Sequence, residues 1–294
     1  MRVGIVGCGS IGSRHARNAM ELGHDVKIYD PAIIGGSDFR FERQLYDWAE
    51  AVVISTPSYV HEACFRAAIE RDRHCLIEKP LSTSRGQLEV LLGRAKEKNL
   101  VVMMGNNLRF HPSVECAKSW IEDGSIVPQW ASFICATMTE KPDYLSDGVI
   151  LNTGSHEVDL ALHFFGPARV VAATGRWNEH SDVMADFVLL HDSGVRSSFH
   201  IDFVTEEEIR QFWIGGLRSN IYVNLPARQA ALAKSGVKAK QFVAAGSYDH
   251  DYADEMEEFL AKCQGKRDGP GATGNDGLAV LRILLDVRRK VGLP

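Results

Sequence analysis

The chain has 294 residues, enough for about two domains at roughly 150 residues each, so a single small module is excluded. With 45% hydrophobic and 24% charged residues it is unlike disordered, collagen-like or coiled-coil chains. Its 33 Lys and Arg against 38 Asp and Glu give a net charge of -5, without the basic excess of a nucleic-acid or membrane-surface binder.

The six cysteines, at positions 8, 64, 75, 116, 135 and 263, form no C-x-x-C pair. They read as reduced, mostly buried thiols rather than a zinc site or a disulfide framework. No run of 18 apolar residues occurs, and the N-terminal residues pass straight into a strand-like segment, so a cytoplasmic protein is expected.

In chain order, the first 118 residues alternate short apolar runs with segments of helical period. Val3 to Val6, Val26 to Tyr29, Ala51 to Ser55, Cys75 to Ile77 and Val101 to Met104 are too short for helices and are bounded by turn residues, the pattern of buried strands. Ser10 to Leu22, Val60 to Arg71 and Arg85 to Lys98 carry apolar residues three and four apart, the pattern of helices. Alternation of this kind predicts parallel βαβ units, a Rossmann-like doubly wound sheet over residues 1–118.

From residue 119 to 294 the periodicity shortens. Phe199, Ile201 and Phe203 alternate with polar residues, as do Ile221, Val223 and Leu225. Trp130 to Thr137, Val170 to Arg176, Val183 to His191 and Ile209 to Ile214 add further strands. The expectation is an open, mainly antiparallel sheet of six or more strands with one polar face. Helices are expected at His156 to Phe165, at Tyr252 to Cys263 and over Gly277 to Val291, the last packing on either domain.

Gly7-x-Gly9-x-x-Gly12 follows the first strand and opens the first helix at Ser10 and Ile11. Glycines at this spacing let backbone approach a pyrophosphate whose charge sits at the helix N-terminus. Asp30 closes the second strand, 18 residues after Gly12, placed to accept hydrogen bonds from a ribose diol. Pro31 follows it rather than a cation, so a 2'-phosphate would meet an uncompensated carboxylate and NAD is favoured over NADP.

Three further segments, Ser55-Thr56-Pro57 with His61, Glu78-Lys79-Pro80, and Asn152-Thr153-Gly154-Ser155-His156, resemble the glucose-fructose oxidoreductase and inositol dehydrogenase (Gfo/Idh/MocA-like) family. In order and spacing the resemblance runs to about residue 166 and includes Asn107-Leu108-Arg109-Phe110. It implies an enzyme with a nucleotide-binding domain, an open antiparallel sheet and an active site in the cleft between them. Hydride would pass between nicotinamide C4 and a carbinol carbon of a sugar, inositol or sugar nucleotide. It implies that Ser55, Thr56 and Pro57 form the cofactor loop after a fourth strand and that Glu78-Lys79-Pro80 ends a fifth. Asn107 and Arg109 then follow a sixth.

The resemblance places the catalytic lysine on Lys79 and the catalytic histidine on His156, with His61 and Glu78 counted in the cofactor site. A neutral imidazole suits proton exchange with a hydroxyl, and the positive end of a helix favours that neutral form. Lys79 supplies a cation to polarise the reacting oxygen. Asn152 stands where the family's dehydrogenases usually carry Asp; it can hold the imidazole or a substrate hydroxyl but cannot stabilise an imidazolium by charge. The short polar segment Thr139 to Gly148 is expected to remodel the substrate pocket.

Other readings compete. His156, Asp159 and His163 share one helix face, as metal ligands do, but Asp159 also suits the first helical turn and His163 an apolar neighbourhood, so no metal is expected. Asn107, Arg109 and Asp159 are candidate substrate contacts. An interdomain salt bridge is an equal use for Arg109, and His111 could join it on a substrate carboxylate or phosphate. A non-catalytic nucleotide sensor is the second functional reading, fed by Asn152 and opposed by the presence of both Lys79 and His156. An open sheet face predicts a homodimer or homotetramer.

Overall fold

The computed structural model describes residues 1–33, 36–139, 142–179, 181–266 and 268–292. They form two compact units: residues 1–110 with 247–278, and residues 111–246 with 279–294. The first boundary thus lies at 110/111 rather than 118/119, and 119–294 is not one uninterrupted domain, because residues 247–278 return to the first unit.

In the first unit β1 (Arg2–Val6), β2 (Asp25–Tyr29), β3 (Ala51–Ile54), β4 (His74–Glu78) and β5 (Val102–Gly105) form a parallel sheet in the order β2-β1-β3-β4-β5. Val3, Ile5, Val52, Ile54, Leu76 and Ile77 are fully buried, which is why these strands read as unbroken apolar runs instead of alternating ones. The intervening helices are α1 (Ser10–Glu21), α2 (Glu42–Trp48), α3 (His61–Ile69) and α4 (Leu88–Glu97). Among the described residues no strand lies between β2 and β3, so the family segments follow the third, fourth and fifth strands, not the fourth to sixth. Met256, Phe259 and Leu260, from the returning segment, join Val3, Ile5, Ala16, Ala19 and Leu76 in one core.

The second unit begins with α5 (Pro112–Glu122), and β6 (Pro128–Ala136), α6 (Pro142–Asn152) and α7 (Gly154–Phe165) follow. The remaining strands are β7 (Ala168–Trp177), β8 (Asp182–His191), β9 (Arg196–Asp202), β10 (Ile209–Gly216), β11 (Ser219–Asn224), β12 (Gln229–Lys234) and β13 (Val237–Val243). Their order is β13-β12-β11-β10-β6-β9-β8-β7. Every neighbouring pair is antiparallel except β6 and β9. One face buries a ring stack, Phe133 on Phe199 at 5.0 Å and Phe187 on Phe199 at 4.5 Å, with Phe164 of α7 against Phe212.

The helices α8 (Tyr248–Cys263) and α9 (Gly274–Lys290) close the chain. Residues 274–278 of α9 belong to the first unit and the rest to the second. All six cysteines are free thiols. Burial pushes Cys64 up to about 11 and Cys135 up to about 12.

α6 is interrupted at Gly148, whose φ is +74°. Asp182, buried at the start of β8, accepts the Ile150 N–H at 2.7 Å, and burial pushes its carboxyl above the usual carboxylate range. A Cβ at Gly148 would sit 2.4 Å from the Asp182 carboxylate. The break that leads the chain towards Asn152 therefore needs glycine twice over, for the left-handed backbone and for the space. Gly148→Ala is expected to cost about 1–3 kcal/mol, and thermal unfolding should show a clear drop in Tm; an unchanged Tm would refute this account of the kink.

Candidate active site

The glycine loop is set by close backbone approach. Gly7 has φ +84°, and a Cβ on it would lie 2.7 Å from the Ser55 carbonyl; a Cβ on Gly12 would lie 2.0 Å from the Gly7 carbonyl. The Ser55 hydroxyl donates to that Gly7 carbonyl at 2.7 Å, tying the loop to the end of β3. Gly9 caps α1 without a side-chain hydrogen bond, and the first turn holds no acidic residue, so the N–H groups at Ser10 and Ile11 keep their positive potential. A Cβ on Gly9 would meet nothing within 4 Å.

Asp30 stands beside this loop. Its Oδ2 accepts the Cys8 N–H at 2.7 Å and its Oδ1 accepts the Ala32 N–H at 2.8 Å. The Ser37 hydroxyl meets the backbone of the same residue, 2.9 Å from its nitrogen and 2.8 Å from its oxygen. Two backbone donors hold the carboxylate in one orientation and leave it further lone pairs. Asn107 is fully buried, and neither polar atom of its amide makes a hydrogen bond to the described protein. A glycine cradle that a side chain at Gly9 would fill, a bare helix N-terminus and an oriented carboxylate together fit a dinucleotide.

Two residues assigned to the cofactor site lie behind it. His61 is buried, with Nδ1 2.9 Å from the Pro80 carbonyl and Nε2 2.8 Å from the Thr56 carbonyl, so it braces the loops after β3 and β4. Glu78 is also buried: Oε1 lies 2.7 Å from His15 Nε2 and Oε2 accepts the Lys79 N–H at 3.2 Å. Lys79, next in the chain, is half-buried. Arg109 has its partners within the first unit. Its guanidinium is buried, donates to the Pro270 carbonyl at 3.2 Å and lies 3.5 Å from Asp276, an ion pair within the first unit.

In the second unit, Asn152 ends α6 and His156 is the third residue of α7. His156 therefore does sit in a first turn, though the helix starts two residues before it. Both are buried, as is Asp159. Beside His156, the buried Glu157 accepts from Arg210 of β10 in a fork, 2.9 Å from Nε and 3.1 Å from Nη2. Removing one partner of such a pair costs about 3–5 kcal/mol, because the other charge stays buried. It pins α7 to the sheet and fixes where His156 projects. His111, at the N-cap of α5, accepts the Ser113 N–H on Nδ1 and has Nε2 3.1 Å from the Leu225 carbonyl. Burial and then the nearby Arg228 push it down to about 4, and both ring nitrogens meet backbone groups of its own unit.

Among the described residues, the His, Cys and carboxylate trio whose ligand atoms lie within 4.8 Å of one another is His15, Glu78 and Glu255, not His156, Asp159 and His163. The residues 140 and 141 of the polar Thr139 to Gly148 segment lie outside the described residues. Sequence reading missed Glu157 with Arg210, and His15 with Glu255, whose partners are separated by at least 53 residues. His15 alone carried a signal, a polar residue within the stripe of Gly12, Ala16 and Ala19 on α1.

Residues 41–106 match the family described as "Oxidoreductase family, NAD-binding Rossmann fold", and residues 129–221 match the "GFO/IDH/MocA C-terminal domain". Among curated relatives, the UDP-N-acetylglucosamine 3-dehydrogenase of Acidithiobacillus ferrooxidans is 26% identical over 234 residues, covering 72% of this chain and 71% of the relative. A solved structure of that dehydrogenase has a TM-score of 0.89 at 25% identity, covering 99% of this chain and 97% of the other. Levoglucosan dehydrogenase in complex with NADH has a TM-score of 0.88 at 19% identity, covering 99% and 96%, a likeness of fold. With both family regions matched in order over more than half its length, the chain belongs to the Gfo/Idh/MocA family of oxidoreductases.

Proposed function

We propose that the chain transfers a hydride between NAD(H) and a carbinol carbon of a sugar, inositol or sugar-nucleotide-like substrate. The observation that carries this is the glycine loop, with no room for a side chain at Gly7 or Gly12 and open space at Gly9, set beside a carboxylate held by two backbone N–H groups. The dehydrogenase names of the two relatives, one acting on a sugar nucleotide and one on levoglucosan, support the substrate class. They give no support to a non-catalytic sensor. No helix among the described residues is long and apolar enough to cross a membrane; a cytoplasmic location is part of the proposal.

NAD is proposed over NADP because of Asp30. A 2'-phosphate about 4 Å from its carboxylate would be opposed by about 4 kcal/mol per unit charge at an effective dielectric of 20. Bound nicotinamide supplies the hydride acceptor or donor. In the oxidising direction the substrate C–H bond gives up its hydride, the hydroxyl proton goes to His156, and the carbonyl forms. Lys79 stabilises the negative charge growing on that oxygen. Asn152, four residues before His156, holds the imidazole or a neighbouring substrate hydroxyl.

A panel of sugars, inositols and nucleotide sugars with NAD, read by absorbance of the reduced nicotinamide, should find turnover. His156→Ala should lower that turnover by roughly 10²- to 10⁴-fold, the worth of a positioned acid or base, with NADH binding kept. Lys79→Ala should do at least as much damage, and Lys79→Arg should not rescue it, since a planar fork differs from a compact ammonium. Wild-type turnover in His156→Ala would assign the proton to another group.

We also propose a homodimer or homotetramer. The second face of the eight-stranded sheet carries Trp130, Ile134, Met184, Val188 and Leu190, with Trp213 against Tyr222 at 5.1 Å. Trp130 is 46% exposed. An apolar strip of this kind is typically covered by association. Light scattering at micromolar concentration should give a multiple of 32.5 kDa, reduced by Trp130→Glu; a wild-type monomer would reject the assembly.

A further inference from the structure

Four elements of the first unit converge on the Glu78 carboxylate. It ends β4, while His15 comes from α1, three residues beyond Gly12, and Glu255 comes from α8 in the segment that returns to this unit. His15 and Glu255 are fully buried. Gly105 pairs with Glu78 across the β4–β5 ladder, and a Cβ there would lie 2.9 Å from the carboxylate carbon. Tyr252, one turn before Glu255, sets its ring edge-on to His15 at 5.7 Å.

The His15–Glu78 contact is a proton-mediated one. At 2.7 Å it has hydrogen-bond length, whereas two ligands on one tetrahedral ion at 2.0–2.1 Å stand about 3.3 Å apart. His15 and Glu78 hold one another, and a Glu255 carboxylate oxygen lies within 4.8 Å of their ligand atoms, a group costly to bury without such partners. The cluster reaches the lysine through Glu78, whose second oxygen accepts the backbone N–H of Lys79.

We infer that His15 and Glu255 are positioning residues which, through Glu78, fix the backbone from which the Lys79 amine projects. The inference rests on the role given to Lys79 above and adds two residues to it. It also links the helix that follows the glycine loop to the lysine, so that α1, the end of β4 and the returning α8 share one buried joint. The titratable groups facing the joint are His15, Glu78, Glu255 and Tyr252.

The test is trace acetylation of the full chain across a pH series, with each lysine read by peptide mass spectrometry, in wild type, His15→Gln, Glu255→Gln and Gly105→Ala. Lys79 should show a labelling midpoint moved by at least half a pH unit in the folded variants, about threefold in free amine at fixed pH. Lys98, held by Asp72 at 2.6 Å elsewhere in the same unit, should keep its profile. An unmoved Lys79 profile would overturn the inference, as would failure of all three variants to fold, which marks a purely structural joint. So would zinc or manganese bound stoichiometrically by wild type and lost in the variants, which marks a metal site. Labelling needs no substrate: a moved profile together with full turnover by Lys79→Ala would keep the joint and remove the catalytic role of Lys79.

Discussion

The close approach of three backbone segments at Gly7, Gly12 and Ser55 is the constraint on which the rest of the first unit depends. With Gly12 packed against the Gly7 carbonyl and the Ser55 hydroxyl bonded to it, α1 starts directly at the end of β1 and beside the end of β3. A side chain at either glycine would push the helix away. Its bare N-terminus then becomes a place for anionic phosphate, and the Cys8 N–H is left to orient the Asp30 carboxylate. The same helix carries His15 inward, so the geometry of the loop reaches the backbone of Lys79 through two side chains.

Buried polar and charged groups in both units brace the segments that carry the residues of the proposed site. Glu157 and Arg210 hold the turn that bears His156. Arg109 ties the residues after β5 to the segment around Pro270 and Asp276. His61 ties the loops after β3 and β4. Such groups are expensive to bury and become strongly destabilising when one partner is removed. That makes them suited to fixing orientation, while the apolar cores supply the bulk of the stability.

Much of the fold was legible because burial on both faces leaves an unbroken apolar run and burial on one face leaves alternation. Val52 to Ile54 shows the first pattern and Phe199 to Phe203 the second. β12 and β13 escaped because half of Gln229–Lys234 is alanine and Val237–Val243 is largely exposed, so neither has a strong period. The return of residues 247–278 to the first unit left no local trace, since periodicity reports which face is buried and not what it is buried against. The glycine loop and Asp30 could be named as candidates from a local motif, and Lys79 and His156 from the family resemblance. The inward turn of Glu78 and His61, the use of Arg109 and the partners His15, Glu157, Arg210 and Glu255 required long-range contacts.

The claim most central to this account is that the loop and Asp30 together hold a dinucleotide and select its unphosphorylated form. Calorimetric titration of NADH and NADPH into wild type and Asp30→Ala measures it directly. The account predicts NADH binding at one per chain and tighter than NADPH in wild type, with the preference lost in Asp30→Ala. Tighter binding of NADPH by wild type, or a preference unchanged by the substitution, would contradict it.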